Sequence, residues 1–368
     1  MITVATIREQ SEGERRVALT PETCRKLAAK GIAVLLESGA GRAAGFDDAD
    51  YVDARIEPDR AAVLAQADVL LCVQAPSPAD LQSLKPGAAL IGALAPHRNG
   101  NLLPFYRGRR LSAFALEKLP RTTRAQAMDI LSSQAGMAGY KAVLIAAQRA
   151  PRFFPMLTTA AGTIRPSKVL VIGAGVAGLQ AIATAKRLGA QVEGFDVRPE
   201  TREQIESLGG RFLDLGVSAA GEGGYARPLT DDERALQQQR LAEHLKGIDV
   251  IVATAAVPGR PAPKIVSAAM VAGMRRGSVI VDLAAESGGN CELTVPGEDV
   301  ERDGVTVVGP LNLASMGALH ASEMYARNLF NFLGLMLADG GALRIPFDDE
   351  LVAGTCIAHE GAEPAPGA

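Results

Sequence analysis

Short apolar runs alternate with helix-like segments along the first third of the chain. The runs that predict strands are residues 2–7, 33–37, 69–73, 90–94 and 111–115. Between the first two strands, Thr20 and Pro21 predict a helix start, with Thr as the N-cap and Pro in the first helical position. Gly31 suits the end of that helix. Because strands that alternate with helices form parallel sheets, this third of the chain predicts an α/β domain.

A second series of the same kind begins at Lys168, after the Pro- and Gly-rich residues 151–166, which mark a domain junction. Its predicted strands are residues 169–172, 191–196, 211–213, 249–253, 278–283 and 305–308, and its first two predicted helices are residues 177–188 and 200–208. A parallel sheet is again expected, so the chain predicts two α/β domains.

Two longer helices are predicted on either side of the second series, at residues 132–148 and 320–338. The later helix is apolar on more than one face, so we expect it to return and pack on the first domain, which makes that domain discontinuous. The residues after Thr355 predict a loose tail. The predicted boundaries are 1–135 plus 318–368 for the first domain and 136–317 for the second.

Composition and charge exclude several classes of protein. Of 368 residues, 38 are Lys or Arg and 41 are Asp or Glu, a net charge of −3 that argues against nucleic acid or an anionic membrane as the main partner. The longest apolar stretch near the end, residues 329–338, is shorter than the ~20 residues of a membrane-spanning helix. Charges at Arg8 and Glu9 argue against an export signal. The four cysteines are far apart, so we expect reduced thiols, a cytoplasmic location and no metal site.

The strongest local motif is Gly173-Ala-Gly175-Val-Ala-Gly178, which directly follows a buried-type strand and opens a helix. Glycines at this spacing allow a tight turn, a close approach of a pyrophosphate to the backbone and close packing of helix on strand, and the helix N-terminus attracts phosphate. Asp196 ends the next strand, where a carboxylate accepts from ribose hydroxyls and favours NAD(H), although Arg198 nearby could accommodate a 2′-phosphate. The overall prediction is two Rossmann-like domains with parallel sheets flanking a nucleotide cleft.

Several segments together resemble the NAD(H)-binding domain I of proton-translocating NAD(P) transhydrogenases, a family related to alanine dehydrogenases. The resemblance runs from about residue 2 to Cys356, and the segment from Arg121 to Ser132 discriminates it from alanine dehydrogenases, which share the fold but not this loop. The matching segments are residues 8–9, 14–21, 120–134, 158–163, 169–189, 257–263 and 282–291.

The resemblance implies roles for individual residues. The residues it places beside the nicotinamide, or in a mobile loop closing over the nucleotide, are Arg121, Gln126, Asp129, Ser132 and Tyr225. Gln126 would also reach toward NADP(H) held by a partner subunit. The residues it places along the rest of the cofactor, with the three glycines of the turn, are Val176, Asp196, Val197, Arg198, Gly224, Gln237 and Ala256.

The resemblance also implies an assembly. NADP(H) would be bound by a beta subunit, protons would cross membrane-embedded parts of the beta subunit and of a second alpha polypeptide, and the chain would form a homodimer. It would then lie in the cytoplasm, at the inner membrane through these partners and without direct insertion. Two positions depart from the family: Cys72 stands where relatives commonly have Lys, and Ala314-Ser-Met316 replaces a usual Pro-Ser-Arg, which puts any contact of that arginine in doubt.

The available acid–base groups bear on the reaction type. Hydride transfer between two nicotinamides needs no proton donor or acceptor, whereas oxidation of an alcohol or amine does. The four histidines, His97, His244, His320 and His359, stand in no motif-like setting. This favours transhydrogenation, while an alanine-dehydrogenase-like oxidoreductase and a nucleotide-binding module without catalysis stay open as alternatives.

Overall fold

The computed structural model describes residues 2–219, 227–256, 259–338, 340–360 and 362. They fall into two compact units, here the first unit (within Met1–Gln134 and Ser315–Ala368) and the second unit (Ala135–Ala314). The elements up to the unit boundary are β1 (Thr3–Thr6), α1 (Pro21–Ala28), β2 (Ala33–Glu37), β3 (Arg55–Glu57), α2 (Arg60–Gln66), β4 (Val69–Gln74), α3 (Pro78–Ser83), β5 (Ala89–Ala93), α4 (Leu103–Gly108), β6 (Ser112–Ala115) and α5 (Ile130–Arg149).

The second unit continues from the end of α5, which crosses the boundary in sequence. Its described elements are β7 (Leu157–Thr159), β8 (Gly162–Ile164), β9 (Lys168–Ile172), α6 (Val176–Arg187), β10 (Gln191–Phe195), α7 (Thr201–Ser207), β11 (Arg211–Phe212), α8 (Asp231–Leu245), β12 (Val250–Ala253), α9 (Ala268–Ala272), β13 (Val279–Asp282), β14 (Asp299–Arg302) and β15 (Val305–Val308).

The chain then returns to the first unit with α10 (Ala318–Gly334), α11 (Glu350–Thr355) and β16 (Cys356–Ala358). The sheet of this unit has the order β3-β2-β1-β4-β5-β6-β16, and only β16 runs antiparallel to its neighbour. Because its last strand comes from the end of the chain, the expectation of a discontinuous first domain is confirmed. The expectation of a loose tail after Thr355 is wrong for Cys356–Ala358, because these residues pair with β6 at the edge of the sheet.

The sheet of the second unit repeats the same arrangement. Its order is β11-β10-β9-β12-β13-β15-β14, parallel throughout except for β14 against β15. In both units the first strand of the sheet lies at its centre and the connections leave to both sides, which is the doubly wound topology that binds nucleotides at the carboxyl ends of the central strands. The prediction of two Rossmann-like α/β domains is confirmed.

Both sheets are covered by apolar side chains on the two faces, as the continuous Val, Leu and Ile runs require. In β9, Val169 and Val171 pack into one layer of buried residues, while Leu170 and Ile172 pack into the other. The long helix predicted at residues 320–338 forms, but it ends at Gly334. Within the described residues, no helix combines the length and apolar character that crossing a membrane requires.

Candidate nucleotide-binding site

The glycine-rich turn of the second unit lies between β9 and α6 and occupies three residues. Gly173 has φ +93°, a conformation that favours glycine. A Cβ on Gly178 would lie 1.8 Å from the Gly173 carbonyl oxygen, so the first turn of α6 can approach the strand only without a side chain there. A Cβ on Gly175, by contrast, would meet no atom within 4 Å. The space over Gly175 is therefore open to a ligand, while the other two positions are closed by the chain itself.

Helix α6 begins at Val176, with Gly175 as its N-cap and no side chain capping its backbone. The N–H groups of a first helical turn have no partner within the helix, and the helix dipole adds a partial positive charge. Val176 is 46% exposed at this end. The geometry thus offers backbone donors and open space to a phosphate group, which is what the cofactor predicted from the sequence requires.

The carboxylate of Asp196 follows β10 and lies under the same turn. Its Oδ2 accepts from the Ala174 N–H (2.7 Å) and from Nη2 of Arg198 (2.7 Å), and its Oδ1 accepts from the Arg198 N–H and Nε (both 2.9 Å). Burial raises the pKa of Asp196, but these hydrogen bonds outweigh it and hold the pKa below its usual value. Two carboxylate oxygens have about four lone-pair sites. A ribose hydroxyl can therefore be accepted only when Arg198 gives up part of its fork.

The loops after β12 and β13 are organised by two buried polar residues that the sequence analysis did not assign. Asn290 accepts from the Ala255 N–H (3.0 Å) and donates to the carbonyls of Ala255 (2.7 Å) and Pro263 (3.0 Å). Asp282 accepts from the N–H groups of Ala284 and Cys291 and from the Thr294 hydroxyl. The signal for Asn290 was its place in the family-like segment; a buried carboxylate such as Asp282 has no local signature.

The remaining residues predicted in the second unit divide into three groups. Val197 is partly buried and packs against the core, and Ala256 is exposed after β12. Gln237 on α8 is buried, and in the described part of the chain its side-chain oxygen has no hydrogen-bond partner. An orphaned buried acceptor is unusual and fits a site that a ligand completes. The predicted residues Gly224 and Tyr225 lie outside the described residues.

The predicted nicotinamide-side residues belong to the first unit, in and after the 3₁₀ helix Thr123–Met128. Asp129 precedes α5, and its carboxylate accepts from the Ser132 N–H (3.0 Å) and hydroxyl (2.5 Å), so the two side chains together cap the helix. Arg121 and Gln126 are exposed. The structure therefore brings Asp129 and Ser132 together and presents Gln126 from a short, ordered turn.

A cluster of buried charges occupies the carboxyl ends of β1 and β4 in the same unit. Glu9 accepts from the N–H groups of Val73 (2.6 Å) and Gln74 (3.2 Å), and burial raises its pKa from 4.5 to about 7. Glu14 forms an ion pair with Arg16 (2.7 Å). Burial alone would raise the pKa of Glu14, but the hydrogen bonds and charge of Arg16 lower it to about 2. One carboxyl is thus tuned to take a proton near neutral pH and the other to stay ionised.

The two positions that depart from the family differ in their surroundings. Cys72 is fully buried in β4, where burial raises the pKa of its thiol well above the usual value, with the nearby carboxyls of Glu9 and Glu117 adding to the shift. Met316 is 43% exposed. A buried, protonated thiol is no general acid or base at neutral pH, so Cys72 does not replace the chemistry of a lysine.

Doubly wound topology with a glycine-rich turn at the central strand places the chain in the class of dinucleotide-binding α/β proteins. The family model described as "Alanine dehydrogenase/PNT, N-terminal domain" matches residues 5–138, and the model "Alanine dehydrogenase/PNT, C-terminal domain" matches residues 142–363. The chain belongs to the alanine dehydrogenase/PNT family.

Individual relatives refine that assignment. The first of the separately encoded parts of the NAD(P) transhydrogenase alpha subunit of Rhodospirillum rubrum is 44% identical over 98% of this chain and 97% of its own length. A crystal structure of transhydrogenase from Sinorhizobium meliloti is 43% identical, covers 98% of this chain and 99% of its own, and superposes with a TM-score of 0.89. The alanine dehydrogenase of Halomonas elongata is 28% identical over 97% of this chain and 93% of its own length. The resemblance to transhydrogenases inferred from the sequence is confirmed.

Proposed function

We propose that this chain is the NAD(H)-binding component of a proton-translocating transhydrogenase, corresponding to the first polypeptide of a divided alpha subunit. In this role it presents NADH so that hydride passes to NADP⁺ on a partner subunit. The observation that carries the proposal is the 44% identity, over almost the whole of both chains, to a protein named for that subunit, against 28% to an alanine dehydrogenase.

Binding of the dinucleotide is proposed for the second unit. The donors of the α6 N-terminus and the open space over Gly175 suit the pyrophosphate. Asp196 suits the adenosine ribose once Arg198 has shifted, and Gln237 supplies a buried acceptor that lacks a partner among the described residues. A carboxylate at the ribose position repels a 2′-phosphate, so NAD(H) is preferred over NADP(H).

Orientation of the reactive ring is proposed for Arg121, Gln126, Asp129 and Ser132. The bound nicotinamide supplies the hydride, and the chain contributes position rather than acid–base catalysis. Arg121 would donate to the carboxamide, and Gln126, exposed on its turn, would reach the neighbouring nucleotide. The capped pair Asp129–Ser132 holds the helix start against which this turn is built.

Reconstitution tests the proposal directly. The chain is mixed with the other transhydrogenase subunits, and reduction of an NADP⁺ analogue by NADH is followed by absorbance. Turnover that requires this chain is the expected result. NADH oxidation by the isolated chain that depends on pyruvate and ammonium would instead establish an alanine dehydrogenase. NADH binding with no turnover in either assay would leave a binding module.

A homodimer is part of the proposal, and the hairpin formed by β7 and β8 supports it. This hairpin exposes large apolar side chains: Met156 is 65% exposed, Phe153 is 52% exposed and Ile164 is 45% exposed. An apolar group on a two-stranded hairpin is characteristic of a surface that another molecule covers. Light scattering should report a dimer for the wild type and a monomer for the double substitution Met156→Lys and Ile164→Lys. A dimer in both would remove the hairpin from the interface.

The remaining partner and location assignments follow from the same proposal. The beta subunit would hold NADP(H), and a second alpha polypeptide would contribute to the membrane portion. The chain itself would then be cytoplasmic and reach the inner membrane only through these subunits. Co-purification with membranes that contain the partner subunits, and not with membranes that lack them, is the expected observation.

A further inference from the structure

We propose that Asn328 is a positioning residue for hydride transfer, which it serves by fixing, from α10, the turn that carries Gln126. The inference rests on the proposed function, because that function gives Gln126 its role. Nothing in Asn328 itself would touch a nucleotide: the side chain acts through the backbone next to Gln126.

The contact is a single hydrogen bond in an unusual setting. Nδ2 of Asn328 donates to the carbonyl oxygen of Ala127 at 2.9 Å, and Oδ1 accepts from the Ser133 hydroxyl at 2.7 Å. Asn328 is only 7% exposed, on a helix whose other inward residues, such as Leu329, are apolar. A buried amide is costly unless both of its ends are bonded. Both ends of Asn328 are bonded, so the side chain has one orientation.

The far side of Asn328 is anchored in the buried charge cluster. The Ser133 hydroxyl accepts from Nε2 of Gln134 (3.1 Å), and Oε1 of Gln134 accepts from Nη1 of Arg16 (2.9 Å). Arg16 is in turn held by Glu14 through two side-chain hydrogen bonds of 2.8 and 2.7 Å. A continuous network in a protein interior is stiffer than an isolated contact. The turn is therefore fastened to the most rigid polar group of the first unit.

The other anchors of the turn lie in water. Nδ2 of Asn331 donates to the same Ala127 carbonyl at 2.9 Å, but Asn331 is exposed. Arg124 forms an ion pair with Asp349, and the Arg124 side chain is 52% exposed. Water can replace an exposed amide, and exposed ion pairs contribute little. This leaves Asn328 as the anchor whose loss the solvent cannot repair, and makes Asn331 its matched control.

The test compares Asn328→Asp with Asn331→Asp in the full chain, assembled with the partner subunits. Asp at 328 keeps an acceptor for Ser133 and replaces the donor to Ala127 by an oxygen. Four quantities are measured: amide hydrogen exchange in residues 121–129, NADH affinity by nucleotide fluorescence, the single-turnover rate of hydride transfer, and the melting temperature. For Asn328→Asp we expect faster exchange in residues 121–129 and a rate about tenfold lower or less, with NADH affinity within about twofold of wild type. Asn331→Asp should leave exchange and rate unchanged.

Several results would overturn the inference. They are unchanged exchange in residues 121–129, an unchanged transfer rate, a rate loss matched by an equal loss of NADH affinity, or an equal effect of Asn331→Asp. If Asn328→Asp does not fold, Ser133→Ala removes the hydroxyl that orients Asn328 and should lower the rate in the same direction. Absence of transfer by the wild type would defeat the proposed function, whereas an active wild type with an unaffected Asn328→Asp would defeat this inference alone.

Discussion

The two units build the first connection of the same topology in opposite ways. In the second unit, three residues, 173–175, join β9 to α6; in the first unit, fourteen residues, 7–20, join β1 to α1. The short connection has no polar side chain and leaves the start of its helix uncapped. The long connection carries Glu9, Glu14 and Arg16, and its helix starts with Thr20-Pro21, so one N–H is removed by proline.

The difference shows where each unit finds its negative charge. At the carboxyl end of the first sheet, Glu9 supplies a carboxyl group to the N–H groups of Val73 and Gln74 from within the chain. At the same end of the second sheet, the backbone donors of α6 are left for a ligand's phosphates. Topology alone therefore does not make a nucleotide site: the length and polarity of one connection decide it. The predictions below test that contrast, from the largest expected effect to the smallest.

Closing the short connection with a single methyl group should have the largest effect. In Gly178→Ala the new Cβ would lie 1.8 Å from the Gly173 carbonyl oxygen, so the turn must move, at a cost of about 3 kcal/mol in the free energy of unfolding. Gly136→Ala is the control, because its Cβ would meet nothing within 4 Å inside α5 and should stabilise by ~0.5–1 kcal/mol. Denaturant titration measures both. Wild-type stability in Gly178→Ala would contradict the closed turn.

Neutralising the internal carboxyl should change how stability depends on pH. The folded pKa of Glu9 is raised from 4.5 to about 7, so between these values the unfolded chain releases the proton while the folded chain keeps it. Stability from this group is thus full below pH 4.5 and is lost as pH rises to 7. Glu9→Gln should exceed wild type by about 2 kcal/mol at pH 8 and by nothing at pH 4.5. Parallel pH profiles for Glu9→Gln and for the exposed control Glu12→Gln would refute the assignment.

Removing the carboxylate of the second unit should weaken the nucleotide and spare the chemistry. Asp196→Ala loses the acceptor proposed for the ribose, and hydrogen bonds to a charged group are worth ~1.5–3 kcal/mol, so NADH affinity should fall by about 30-fold. The single-turnover rate at saturating NADH should change little. Asp214→Ala, which removes an exposed carboxylate paired with Arg202, is the matched control. Unchanged affinity in Asp196→Ala would show that Arg198 never yields its place.

Shortening the side chain on the exposed turn should do the reverse. Gln126→Asn keeps the amide but withdraws it by one methylene, so hydride transfer should slow by about tenfold, ~1.4 kcal/mol of barrier, while NADH affinity is kept. Nucleotide fluorescence gives the affinity, which is convenient because the chain has no tryptophan. Loss of NADH binding in Gln126→Asn would mean that the turn holds the cofactor rather than orienting it.

Local signals predicted much of the fold and the centre of the site. Thr20-Pro21 placed the start of α1, and the glycine spacing placed the turn before α6, because both depend on neighbouring residues alone. What could not be predicted depends on distant residues. The strand β16 exists only through pairing with β6, and Asn328 gains its meaning from Ala127, 201 residues away. The raised pKa of Glu9 likewise comes from burial, which no local pattern records.

The interrupted course of the first unit sets an order for its synthesis. Every strand of the second sheet lies between residues 168 and 308, so that sheet can be complete while the chain is still being made. The first sheet has to wait: β6 gains its outer neighbour only when Cys356–Ala358 emerge, and Tyr325 must arrive before its hydroxyl can bond the carbonyl of Cys72. The ribosome therefore releases the second unit's sheet first, and the amino-terminal half of this protein is the last to close.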